Sequence, residues 1–477
     1  MTLDVYKKYE LPAGWEWKKL GEICNVSDRD HRTPIYVDDG VPLISPRDFT
    51  EHGIDLSRLK KVAPSELVAF EKKCKPQKGD ILYSRIGTIG EARLHNLDFD
   101  FVALHSIALV KPIEPGLDSK YVLYLLQTQA VRSQAKHNIK SVGTPDLGLK
   151  RIKEFDVPLA PPDQQERIVA EIEKQFSRLD EAVANLKRVK ANLKRYKAAV
   201  LKAAVEGRLV VTEAERARRE GRSYETGAQL LQRILETRRS QWQGKSKCKE
   251  PVAPDTSDLP ELPEGWVWAT YAQIGEVTTG FTPPTAEPEN FGGDIPFFKP
   301  TDLDAGESVV LAREHLSEKG AAKGRLLPAG SVLVTCIGAT IGKTGLARVS
   351  CATNQQINAV TPDGNLVNSE FVYAWTVSPS GYKQILDNSS ATTLPILNKS
   401  KFEALGIPLP PLVDQHRIVA EVDRRLSLLR ETEAQVDVNL QRADRMRQAI
   451  LARAFSGVLI NGNRIHSENT AQAAGAA

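Results

Sequence analysis

The most constraining feature of the chain is a long stretch of helical periodicity, Pro161 to Gly207, and its repetition from Pro411 to Gly457. In the first stretch apolar residues fall at Ile172, Phe176, Leu179, Val183, Leu186, Leu193, Val200 and Ala204, with Lys190 and Lys197 filling the gaps. Steps alternating between four and three residues mark the seam of a coiled coil, not the wider stripe of a helix lying on a sheet. Roughly forty helical residues make a rod of about 60 Å, and its seam needs a partner. The second stretch supplies one. Arg167-Ile168-Val169-Ala170-Glu171 recurs as Arg417-Ile418-Val419-Ala420-Glu421, and Val422, Leu426, Leu429, Val436, Leu440, Ala443 and Ile450 follow in register. Glu433 interrupts the second seam where the first has Val183. Both stretches stop at a glycine, the residue that closes a helix in the left-handed conformation. One antiparallel pair is expected.

The repeat extends beyond the helices. Leu11-Pro12-Ala13-Gly14-Trp15-Glu16-Trp17 answers Leu262-Pro263-Glu264-Gly265-Trp266-Val267-Trp268. Val41-Pro42-Leu43-Ile44 answers Ile295-Pro296-Phe297-Phe298, and Pro46-Arg47-Asp48 answers Pro300-Thr301-Asp302. Ile86-Gly87-Thr88-Ile89-Gly90 pairs with Ile337-Gly338-Ala339-Thr340-Ile341-Gly342, and Val157-Pro158-Leu159 with Ile407-Pro408-Leu409. Offsets stay between 250 and 254, so this is an ordered internal duplication. Within each copy, β-like runs (Asp80–Ile86, Val102–Val110, Ser331–Ile337, Gln356–Thr361) and helical runs (Ser119–Lys136, Ser369–Leu386) are bounded by turn residues. The fold class is α+β: two homologous domains, each ending where its long helix begins. The framework repeats and the loops differ, Asp28-Arg29-Asp30-His31-Arg32 against Thr278-Thr279-Gly280-Phe281-Thr282. Unduplicated are a basic amphipathic helix, Thr226–Trp242, with Leu230, Leu231, Ile234, Leu235 and Trp242 on its apolar face, and a linker from Gly244 to Glu261 expected to be flexible. The tail after Arg464 is expected to be disordered.

Composition sets outer bounds. The 477 residues suit two or three domains, and a net charge of +4 does not by itself show nucleic-acid binding, though it can hide a local basic surface. Five cysteines without CxxC or metal spacing read as reduced thiols of a cytoplasmic protein, and no run approaches the ~20 residues that span a bilayer. Catalytic signatures are missing: no HExxH, no Gly-rich cofactor loop opening a helix, no Asp/Asn-Pro-Pro-aromatic tetrapeptide. Gly338 to Thr344 imitates a phosphate loop, but three residues separate its glycines where the signature needs four, and the copy at Gly87 lacks Lys and Thr. Neither a catalytic residue nor a metal or cofactor site is expected in this chain.

These residues together resemble the specificity subunit of type I restriction–modification systems, over nearly the whole chain. The resemblance rests on the duplication, the two Leu-Pro-x-Gly-Trp-x-Trp openings, the two Ile-Gly turns and the two Arg-Ile-Val-Ala-Glu helix entries. It implies target recognition domains at 1–160 and 262–411, spacer helices at 161–210 and 412–460, the basic helix and linker at 211–261, and a tail at 461–477. It further implies that each domain reads half of a bipartite double-stranded DNA target. Two methyltransferase subunits carrying S-adenosylmethionine, and restriction/translocase subunits using ATP and Mg, would act as partners, with no membrane and no catalysis in this chain. A pseudo-twofold arrangement would match the dyad of duplex DNA, and divergent loops imply an asymmetric target. Base edges call for Arg, Lys, Asn, Gln, Ser or Thr on loops, and phosphates for Lys and Arg. The candidates are Arg29, His31, Arg32, Arg47, Arg85, His105 and Lys140 in the first domain. In the second they are Thr279, Lys299, Thr301, Thr335, Gln355, Gln356, Ser389 and Thr392. Rival readings are an autonomous enzyme using Gly338–Thr344, and a coiled-coil scaffold that never touches DNA.

If the helices act as a ruler, seven residues inserted between Leu186 and Leu193 should lengthen the spacer of the methylated motif and leave both half-sites unchanged. Mapping methylated adenines checks this, and altered half-sites would contradict it.

Overall fold

The computed structural model describes residues 9–51, 53–139, 144–243, 249–390 and 394–460. The chain divides into two compact units, residues 1–187 with 437–477, and residues 188–436. Each holds one copy of the same α+β domain.

In the first unit an antiparallel four-stranded sheet is ordered Cys24–Asp28, Ile107–Pro112, Ile81–Ser84, Ala92–Leu94; in the second the order is Gly275–Thr279, Ile357–Pro362, Val332–Thr335, Thr344–Leu346. A second sheet centres on Tyr36–Ile44, antiparallel to Lys60–Val62 and parallel to Val102–Ala103, and its counterpart centres on Phe291–Phe298. A two-stranded ribbon joins Glu16–Lys19 to Asp156–Leu159, and again Val267–Thr270 to Gly406–Leu409. The central strands are buried on both faces, as expected of sheets covered on both sides.

Two sequence expectations are refined. Val102–Val110 is not one strand but two, Val102–Ala103 and Ile107–Pro112, because the chain turns where Ile107 N donates to Leu104 O. The helical runs after each sheet break in the middle. Ser119–Leu126 gives way to Gln129–His137 where the Thr128 hydroxyl accepts from Val131 N, and Ser369–Val377 gives way to Pro379–Asp387 where Ser378 accepts from Gly381 N. Each hydroxyl caps a fresh helix start. The unduplicated helix runs Gly227–Ser240; its Leu230 and Ile234 pack into the second domain's core, and Trp242 lies beyond it, half exposed.

Both long helices contain 44 residues, Pro162–Val205 and Leu412–Phe455. In the first unit, Leu451 and Phe455 at the end of the second helix share a core with Ile168 and Ile172 at the start of the first, while Arg447 pairs with Asp180 and its guanidinium lies 4.4 Å from the Phe176 ring centroid. In the second unit, Val200, Leu201 and Ala204 cluster with Ile418, Val422 and Leu426. Beginning meets end in both units, so the pairing is antiparallel. The seam is less uniform than its heptads suggest. Val183, Leu186 and Leu193 are half-buried, whereas Ile168, Val169, Ile172 and Phe176 belong to the core of the first domain. The helix entries thus do the work of a domain helix, which requires the wider apolar face of adjacent positions 168 and 169.

One side chain explains the repeated helix entries. Gln165 accepts from Asp118 N (2.9 Å) and donates to Ala160 O (2.7 Å); Gln415 accepts from Asn368 N (2.8 Å) and donates to Pro410 O (3.0 Å). Both amides are buried. The repeated tryptophans reach the same first turn, Trp15 donating to Gln164 and Trp266 to Asp414. The helix ends are equally specific. Gly207 and Gly457 adopt φ of 68° and 75°, and a Cβ on them would meet Pro263 Cγ at 2.5 Å and Pro12 Cγ at 2.2 Å. Each helix therefore ends against the proline that opens a domain.

Gly207→Ala and Gly457→Ala should each cost about 1–3 kcal/mol from left-handed strain alone, with the steric clash adding to it. Denaturant unfolding should show Gly457→Ala weakening the first unit and Gly207→Ala the second. Unchanged midpoints would contradict this packing.

Candidate nucleic-acid interface

In the first domain the turn after Ile44 is fastened by Asp48, whose carboxylate accepts from Ser45 N (2.7 Å) and Ser45 Oγ (2.8 Å). Arg47, between them, is left exposed. Opposite stands the glycine turn, where Gly87 (φ 77°) donates to Pro145 O. Between the turns lies a cleft of about 590 Å³ lined by Tyr36, Arg47, Arg58, Lys60, Thr88 and Ser106, among others. Lys60 Nζ lies 5.2 Å from the Tyr36 ring centroid. Among the described residues no ion pair engages Arg47, Arg58 or Lys60. Three cations outside any ion pair, beside an aromatic ring and a buried hydroxyl without a partner, Ser106 Oγ, suit a polyanion bearing polar edges.

The neighbouring loop is held from below. Glu66, fully buried, pairs with Arg29 and with Arg32 (3.2 Å), and accepts from Ile35 N. Arg29 is only 3% exposed, so its guanidinium shapes the loop from inside. Arg85 is equally buried; it donates to Leu147 O, His105 O and Asp146, and lies 3.4 Å from Asp28. These two candidates support the surface, whereas Arg32, Arg47 and His31 lie on it. His31 and His105 stack with centroids 5.1 Å apart. Burial, then the charges of His31, Arg85 and Arg29, lowers the His105 pKa and favours its neutral ring.

The second domain builds the same scaffold with other chemistry. Asp302 accepts from Lys299 N (2.8 Å), leaving Thr301 exposed where the first copy has Arg47. Lys299 is neutralised by Glu314, which stands in the strand position of Lys60. Thr279 donates to Asn358, and Gln356 accepts from Asn354 Nδ2. Gln355 is exposed and accepts from the Thr282 hydroxyl. Thr335 is buried, and Ser389 caps a helix end by donating to Leu386 O. Lys140 and Thr392 lie outside the described residues, as do Cys248 and the tail. Tyr36, Arg58, Lys60 and Thr282 were not among the sequence candidates; no duplicated motif marks them.

Gly338–Thr344 does not form a phosphate cradle. The loop leads into the strand Thr344–Leu346 rather than a helix. Gly338 N donates to Pro395 O, Gly342 N to Thr335 O and Lys343 N to Thr340 O, and Lys343 Nζ lies on Asp304 (2.6 Å). Its amides serve the fold. Burial pushes the thiols of Cys24, Cys336 and Cys351 up to about 12, which leaves them unreactive. Among the described residues no group of His, Cys, Asp and Glu could hold a metal, and no helix is long and apolar enough to cross a membrane.

The model of the type I restriction modification DNA specificity domain matches residues 12–195 and 263–437, each match running from a Leu-Pro-x-Gly-Trp opening into a long helix. The chain belongs to that family. It is similar to the type I restriction enzyme HindI specificity subunit of Haemophilus influenzae, 31% identical over 173 residues, which covers 35% of this chain and 37% of that one. The MjaIX specificity subunit of Methanocaldococcus jannaschii is 31% identical over 166 residues, 34% of this chain and 38% of the other. The chain thus matches well under half the length of these two relatives. A solved chain of a type I R-M system shares the fold, with a TM-score of 0.66 at 18% identity over 94% of this chain and 100% of that one.

Glu66→Ala should destabilise the first domain by about 3–5 kcal/mol, because it strands a buried guanidinium. Denaturant unfolding measures it, and a loss below ~1 kcal/mol would show that Arg29 escapes to water.

Proposed function

We propose that this chain is the DNA sequence-recognition subunit of a type I restriction–modification complex, each domain reading one half of an asymmetric bipartite target. One observation carries the reading: a single backbone framework, present twice, offers two chemically different polar faces. A scaffold that never touched DNA would not need them. The first face carries three cations outside any ion pair at a cleft; the second is largely amide and hydroxyl, its lysine paired with Glu314. Two faces so unlike each other match unlike half-sites.

The chain itself is read as non-catalytic. Methylation of adenine would come from two methyltransferase subunits carrying S-adenosylmethionine, and restriction from subunits using ATP and Mg. The family membership and the names of the relatives support this division of labour, as does the glycine loop committed to its own turn.

The test is to map methylated adenines in cells with and without the chain. The expected motif is bipartite and asymmetric; a strictly palindromic one would contradict the reading. Replacing Arg47, Arg58 and Lys60 by Ala should weaken DNA binding while keeping the preferred sequence. It should also make the slope of log affinity against log salt shallower by roughly 3, about one for each lost phosphate contact. An unchanged slope would remove these residues from the interface.

A further inference from the structure

One junction is built twice from the same backbone bonds. In the first domain Arg85 N donates to Ser106 O (2.8 Å), Leu104 N to Ile44 O (2.8 Å) and Ile107 N to Leu104 O (2.8 Å). In the second, Cys336 N donates to Gln356 O (2.7 Å), Asn354 N to Phe298 O (3.2 Å) and Ile357 N to Asn354 O (3.1 Å). Strand registers agree as well: Asp28 faces Ala108 as Thr279 faces Asn358, and Ser84 faces Ile107 as Thr335 faces Ile357. His105 and Gln355 therefore hold one place in the fold, and His31 and Thr282 each lie three residues beyond the paired Asp28 and Thr279.

In both domains these two places touch. His31 stacks on His105 at 5.1 Å, and the Thr282 hydroxyl donates to Gln355 at 2.5 Å. The support beneath differs in step with them. Under the histidines Asp28 lies between His31 (3.3 Å) and Arg85 (3.4 Å), and Arg85 continues to Asp146. Under the second pair Thr279 replaces Asp28 and Cys336 replaces Arg85, and the contact is a neutral bond from Thr279 to Asn358 (2.8 Å). A shared backbone with matched changes both at the surface and beneath it marks positions that vary for what they present outward, since packing alone would not require it.

We infer that the pairs His31–His105 and Thr282–Gln355 are the specificity-determining elements of the two domains, presenting side-chain edges to the bases, while in the first domain the flanking cations hold phosphate. The inference rests on the DNA-recognition reading and goes further, because it assigns sequence choice to one exchangeable pair per domain. A glutamine amide can donate to N7 and accept from N6 of adenine when offered edge-on, and Gln355 is exposed for it. In the histidine pair Nδ1 of His105 is buried and Nε2 of His31 lies on Asp28 (3.3 Å), so each ring has one remaining nitrogen to present, in a different geometry from an amide. The two half-sites should accordingly differ at the base each pair meets.

The experiment exchanges the pairs in the full chain, assembled with its methyltransferase partner. H31T/H105Q carries the second domain's pair into the first, and T282H/Q355H does the reverse. Selection of bound sequences from DNA with each half-site randomised, together with mapping of methylated adenines, reads the outcome. The first exchange should alter one or two positions of one half-site, with roughly tenfold or greater loss of discrimination there, and leave the other half-site intact; the second should do the mirror image. If either variant fails to fold, as judged by its circular dichroism, the other still decides. Both half-sites retained in a folded variant would overturn the inference and leave the proposed function standing. An unaltered complex without sequence selectivity would overturn both.

Discussion

The fold depends on a buried glutamine at the entry of each long helix. Gln165 and Gln415 each satisfy a backbone donor and a backbone acceptor that no secondary structure pairs. In the interior an unmet group of this kind costs about 1–3 kcal/mol. Each amide ties three segments together: the residue after the last strand of a domain, the residue that caps the helix Ser119–Leu126 or Ser369–Val377, and the first turn of the long helix. The start of the long helix is thereby pinned to its domain by hydrogen bonds, and in the first domain Ile168, Val169, Ile172 and Phe176 hold the following turns against the core. Nonpolar side chains could fill the same volume as the amide, but they would leave that donor and acceptor unmet.

Much of this architecture was legible in the sequence because the repeated residues have jobs that few others can do. Gly207 and Gly457 occupy left-handed conformations against a proline, and Trp15 and Trp266 donate into a helix turn. Such residues tolerate little change, so they stand out even when two copies differ elsewhere. The helix break at Thr128 was hidden because a hydroxyl is ordinary inside a helical pattern and only the capped amide distinguishes it, whereas the break at Ser378 is marked by Pro379 at the first position of the new helix, a signal that the apolar run on either side masked. The entry of each long helix was hidden for a related reason. Heptad spacing looks alike whether the apolar face meets another helix or a domain core.

The site was less legible. Residue type pointed to Arg29 and Arg85, yet burial turns both inward, toward Glu66 and toward Asp28 and Asp146. It overlooked Arg58 and Lys60, which earn notice only because they line a cleft without being drawn into an ion pair. Whether an arginine supports a surface or forms it depends on partners tens of residues away, such as Glu66. His31 and His105 were found as separate polar residues; their stacking, and its counterpart in Thr282 and Gln355, is visible only once the two domains are laid strand on strand.

The last helix carries a consequence for synthesis. Leu451, Ala454, Phe455, Leu459 and Ile460 belong to the core that also holds Trp15, Tyr121 and Ile168, and Tyr9 donates to Phe455 O. A ribosome delivers those residues long after Pro112, where the four-stranded sheet they help to cover ends. The second unit, residues 188–436, has all its parts earlier. The usual order in which the N-terminal domain matures first is therefore reversed: the domain begun first is finished last, and until then its apolar floor needs protection from the solvent.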